Sequence, residues 1–189
     1  MPDADDLLKD SEVIAVVQRW VKSFVVDMNL CPFARRELSR NRIRFALTAA
    51  NTDLELLMSL QDELELLNCD PAIETTLLIH QNVLQEFDDY NQFLNYADKL
   101  LQQTGLEAVY QFASFHPHYR FDGTAADDAE NYTNRSPYPL LHIIREASLE
   151  RAIAEFQNVD QIPARNIALM NSLGQDKLSA LMQDCINND

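Results

Sequence analysis

Thr75-Thr76-Leu77-Leu78-Ile79-His80 is a short apolar run closed by a histidine, and it reads as a buried strand. Upstream, Ile43 to Thr48 alternates Ile43, Phe45 and Leu47 with Arg44 and Ala46, the period of a second strand. Downstream, Val109 to Phe115 reads as a third. Helical stretches separate them. Thr52-Asp53-Leu54-Glu55 has the form of a capping box and opens a leucine-rich helix to about Leu67. From Leu84 to Gln103, Phe87, Tyr90, Phe93, Leu94, Ala97, Leu100 and Leu101 recur at helical spacing, and Gly105 stands where a C-terminal cap is wanted. Strand–helix–strand–helix–strand predicts right-handed crossovers and a helix-rich α/β fold around a small, mostly parallel, three-stranded sheet.

The flanks read as helix. Val13, Ile14, Val16, Val17, Trp20, Val21, Phe24, Val25 and Met28 follow Asp10-Ser11, an N-cap, and that helix should stop near Asn29 because Pro32 disfavours helix at Cys31. A short helix then opens at Pro32. Pro137 or Pro139 opens another, running to about Phe156. From Pro163 two short helices are broken around Leu173-Gly174, a fourth strand at Asn166 to Met170 being the alternative to the first of them. With 189 residues and no linker, residues 1–189 read as a single domain.

Composition excludes several function classes. The chain carries 30 Asp+Glu against 15 Lys+Arg, a formal charge of −15. A surface this acidic repels phosphodiester backbone, so extended nucleic acid is not an expected partner. Three glycines cannot form a Gly-x-Gly-x-x-Gly turn or a Walker A loop. No apolar run approaches the ~18 residues that span a bilayer, so no membrane partner is expected. The opening Met1 to Asp6 has no basic n-region, and Cys31, Cys69 and Cys185 form no Cys-x-x-Cys. The expectation is a cytoplasmic protein with reduced thiols and no cofactor. Charge is also unevenly placed: residues 51–130 hold sixteen acids against Lys99 and Arg120, whereas Arg35 to Arg44 holds five arginines and only Glu37.

Ligands bind beyond the carboxyl ends of strands in open parallel sheets, here Thr48, His80 and His116. His116 starts Phe115-His116-Pro117-His118-Tyr119-Arg120-Phe121 at the root of a twenty-residue loop, and long loops in compact domains are usually functional or disordered. The loop ends in Asn134-Arg135-Ser136-Pro137-Tyr138-Pro139. Ser136 capping a helix, with Arg135 before it and Arg145 on it, would hold a phosphate or carboxylate. The other reading pairs those arginines with nearby acids. Cys31 at the N-cap of the short helix, beside Arg35 and Arg36, would have a lowered pKa and a nucleophilic thiolate, or else it is a small buried hydrophobe. His142 and Glu146, four apart on a helix, could join His116 or His118 around a metal ion.

Asn29-Leu30-Cys31-Pro32-Phe33-Ala34, Phe115-His116-Pro117 and Asn134-Arg135-Ser136-Pro137-Tyr138-Pro139 with His142, Arg145 and Glu146 resemble the signature blocks of a bacterial family catalogued as the domain of unknown function numbered 1415. The resemblance runs over nearly the whole chain, through Ile162-Pro163 and Asn166-Ile167, and implies no reaction. The leading expectation is therefore chemical: a pocket for a small anionic molecule. Arg35, Arg36, Arg120, Asn134, Arg135, Ser136, Tyr138 and Arg145 would bind it, with His116 as the acid/base group, Cys31 as the thiol and His142 as a further catalytic residue. The alternatives are a non-catalytic ligand- or protein-binding module and a metal-dependent hydrolase using His116, His118, His142 and Glu146.

Overall fold

In the computed structural model, which describes residues 4–156 and 158–187, β2 (Thr75–Ile79) has all five residues buried. The Met1 to Asp3 opening used in the export reading lies outside the described residues. β2 pairs in parallel with β1 (Ile43–Leu47), Ile43 opposite Thr75. Its other neighbour is not β3 (Tyr110–Phe115) but β4 (Leu140–Arg145), antiparallel to both β2 and β3. The sheet order is β1-β2-β4-β3. Three mostly parallel strands were expected; four strands in a mixed sheet are present, with helix still dominant.

The error lies at Leu140–Arg145, read as helix. A short apolar run does not declare its period, and two prolines before it resemble a helix start. Pro139 instead precedes a central strand, where its missing N–H breaks no ladder, and its carbonyl accepts the His80 N–H at 3.1 Å. The helix of this region, α5 (Glu146–Glu155), begins only where β4 ends.

Side chains alternate across the sheet and bury two cores. Leu78, Leu141 and Ile143 meet α3 (Asp53–Cys69) and α4 (Phe87–Thr104), which contribute Leu56, Leu60, Leu64, Phe93 and Ala97. Leu77, Ile79 and Leu140 meet α1 (Ala4–Trp20), the π-helical turn Val21–Val26 that continues it, α6 (Ile162–Leu173) and α7 (Gln175–Asn187). Burying each such leucine contributes roughly 1.5–3 kcal/mol. α3 carries the capping box: the Glu55 N–H donates to Thr52 Oγ1 at 3.2 Å, and Glu55 Oε2 accepts from the Thr52 N–H at 3.1 Å. Gly105 ends α4 at φ +71°, the left-handed conformation a side chain would resist.

Other boundaries moved. α1 begins at Ala4, so Asp10 and Ser11 lie inside it rather than capping it. α2 (Ala34–Ser39) has Phe33, not Cys31, at its N-cap. Residues Asn166 to Met170 belong to α6, and the break at Gly174 falls as expected.

Candidate functional site

β1, β2 and β3 point the same way, so Thr48, His80 and His116 stand along one edge. Tyr90 of α4 organises that edge. Its hydroxyl donates to the Leu140 carbonyl at 2.9 Å and accepts from the Phe115 N–H at 3.0 Å, joining the ends of β4 and β3. Its ring stacks on His80 (centroids 5.7 Å, 15° between planes) and lies 5.2 Å from His116. Burial pushes the phenol well above its ordinary range.

Both imidazoles are fully buried, and that burial lowers each pKa to about 4, so both are neutral at physiological pH. The partners fix the tautomers. His80 Nδ1–H donates to the Val83 carbonyl at 3.1 Å, and its Nε2 has no partner. His116 Nε2–H donates to the Leu84 carbonyl at 3.1 Å, while its Nδ1 accepts from the His118 N–H at 3.0 Å. Both rings thus pin the segment between β2 and α4, in which Leu84 holds φ +56°. A positive φ is unusual for a leucine, and the two histidine bonds hold it there.

The loop from His116 to Arg135 is built around Asn131, which is fully buried. Asn131 Oδ1 accepts from the Phe121 N–H (3.0 Å) and Thr124 Oγ1 (2.9 Å), and its Nδ2 donates to the Ala125 carbonyl (2.8 Å). Arg135 lies over the Tyr132 ring at 4.7 Å and its Nε donates to the Tyr119 carbonyl at 3.3 Å. Asn134 Nδ2 donates to the Ser114 carbonyl at 3.0 Å. Ser136 caps no helix; its buried hydroxyl donates to the Tyr138 carbonyl at 2.6 Å. Tyr138 packs with the α1 layer, its phenol raised by burial and by Glu12. His118 and Arg120 are exposed.

The remaining expected site residues lie elsewhere. Arg145 closes β4 at the opposite end from Arg135, and six strand residues separate those ends by about 17 Å. Its guanidinium donates to the carbonyls of Leu67, Asp70 and Ile73 and to the Tyr110 hydroxyl. His142 sits mid-strand, on the face away from His116, and Glu146 is the first residue of α5, so the helical His142/Glu146 pair does not exist. Nε2 of His142 bonds Thr75 Oγ1 at 2.7 Å, and burial lowers its pKa to about 4. Among the described residues no three His, Cys, Asp or Glu side chains gather to hold a metal ion.

Cys31 follows the π-helical turn, where Asn166 of α6 donates to the Leu30 carbonyl at 2.8 Å. Burial pushes its thiol up, against backbone N–H groups of Phe33 and Ala34 that pull it down. The lowered pKa expected at an N-cap is not there. Arg35 donates to the Val26 carbonyl at 3.0 Å, and Arg36 faces Glu37 and Glu155 at 3.5 Å each. Farther along the run, Arg42 pairs with Glu74, and Arg44 holds Glu63 through two bonds of 2.7 and 2.9 Å. Each of these four arginines thus has a partner within the chain.

A cleft absent from the sequence reading opens between the first turns of α3 and α4. It has a volume of about 470 Å³ and is lined by Asp53, Glu86, Asp89, Gln92, Phe93 and Tyr96, with Leu84 and Gln85 of the pinned segment as its wall. Tyr90 and Asn131 were also missed. The one sequence signal pointing to the cleft is the run of sixteen acids between residues 51 and 130.

The family described as protein of unknown function DUF1415 matches residues 12–180. The chain belongs to it. For this family member no curated protein and no solved structure matched. In this fold His116, Asn134, Arg135 and Ser136 brace one edge while Arg145 braces the other.

Proposed function

We propose that this chain is a non-catalytic binding module, which meets its partner through an open surface rather than converting a substrate in a pocket. One observation carries the reading: both ring nitrogens of His116 are engaged by backbone. A general base needs a free lone pair within reach of the reacting proton, and the lone pair of His116 is taken by the His118 N–H. The same economy recurs at Arg145, whose donors go to carbonyls and to the Tyr110 hydroxyl, and at Cys31, whose pKa is raised rather than lowered. These side chains brace loops and helix ends.

Two measurements test this. Alkylation of Cys31 against pH should report a thiol pKa above the ordinary value of about 8.5. Imidazole ¹⁵N spectra should show His116 as the neutral Nε2–H tautomer down to about pH 5. A Cys31 thiolate formed below about pH 7, or a His116 midpoint near 6.5, would overturn the proposal.

A further inference from the structure

We infer that the cleft between the amino-terminal turns of α3 and α4 is the docking surface for a basic amphipathic segment of a partner protein, one that alternates arginine or lysine with apolar side chains. The inference rests on the binding-module reading and names the partner's chemistry. Asp53, Glu86 and Asp89 put three carboxylates on the cleft, and no basic side chain lines it. Acids in a helix's first turn have a reason of their own, because they complement the helix dipole. The apolar side chains beside them have no such reason. Tyr96, a lining residue, is 53% exposed; Leu54, next to Asp53, is 67% exposed, and Met58 one turn on is 60% exposed. These are three of the six large hydrophobic side chains most open to solvent among the described residues, and all three belong to α3 or α4, the helices that flank the cleft.

The electrostatics choose the partner's sign. Lys99 already places its ammonium 5.5 Å from the Tyr96 centroid, so this ring face hosts a cation. An incoming guanidinium would replace a solvated lysine there and reach Asp89 and Glu86, which enter into no ion pair among the described residues. Asp89 and Tyr96 are seven residues apart on α4, a rise of about 10 Å, which is two helical turns of a docked segment. A small diamine would satisfy the acids and leave Leu54 and Met58 bare; a peptide with apolar side chains covers them. The cleft wall is preformed, because His116 and His80 hold the Leu84 segment through its carbonyls, so little ordering is needed on binding.

The test uses the full chain and a fluorescein-labelled peptide of lysine, arginine and leucine in amphipathic helical order, read by fluorescence anisotropy at about 0.15 M ionic strength. Tyr96→Ala with Asp89→Asn should weaken binding roughly tenfold or more. Asp184→Asn on α7, an equal loss of charge on the other layer, should change it less than about twofold. Amide shifts should move in Asp53–Met58 and Gln85–Tyr96. No binding, equal weakening by Asp184→Asn, shifts confined to other segments, or spermine competing at equal concentration would each overturn the inference. A catalytic Cys31 or His116 would show instead in the alkylation and ¹⁵N measurements, so the two failures are distinguishable.

Discussion

Histidine carries the greatest consequence for stability among the single residues. His80, His116 and His142 are each held near pKa 4 by burial, against about 6.5 in an unfolded chain. Above pH 6.5 both states are neutral and these groups contribute nothing to pH dependence. As pH falls below 6.5 the unfolded chain binds protons that the folded one refuses, so stability drops until about pH 4 and then levels off for these groups. Each histidine contributes a slope of up to ~1.4 kcal/mol per pH unit inside that window. Urea midpoints measured between about pH 7.5 and about pH 5 should therefore fall; a flat profile would contradict the buried neutral assignment. Carboxylates titrate mostly below this range, so their large number does not mask the effect. The sequence placed His116 at a strand end but could not say that its Nε2–H meets the Leu84 carbonyl, because Leu84 reaches it only through the fold.

Elements show where sequence reading succeeds and where it stops. Thr52-x-x-Glu55 and Gly105 are local devices, written within a few residues, and both appeared where read. Thr52→Ala should cost about 1 kcal/mol, read as a lower urea midpoint without a change in slope. β4 was not legible, since its strand character comes from β2 and β3 on either side rather than from its own six residues. The roles of His142, Arg145 and Ser136 were lost with it. Arg145 caps the end of α3 from another element, donating to the Leu67 and Asp70 carbonyls. Lysine has neither the fork nor the number of donors to replace it. Arg145→Lys should lose about 2–4 kcal/mol of unfolding free energy, and an unchanged midpoint would show those bonds to be dispensable.

At the scale of the whole molecule, charge opposes compaction. A formal −15 exceeds what Arg42–Glu74, Arg44–Glu63 and their neighbours can offset, because those pairs gather at the amino ends of the strands. Raising sodium chloride from about 0.02 to about 0.3 M should stabilise the fold on the order of 1 kcal/mol, or roughly 2–4 °C in melting temperature. Melting that falls with salt would mean the ion pairs outweigh the repulsion. The strand order has its own consequence for biosynthesis. A ribosome delivers Tyr110–Phe115 about twenty-five residues before the ribbon that fastens it to the rest has emerged. Until Leu140–Arg145 slots into the gap, the nascent polypeptide exposes two apolar borders with unzipped amides, a template for chaperones or for premature association with a neighbouring copy.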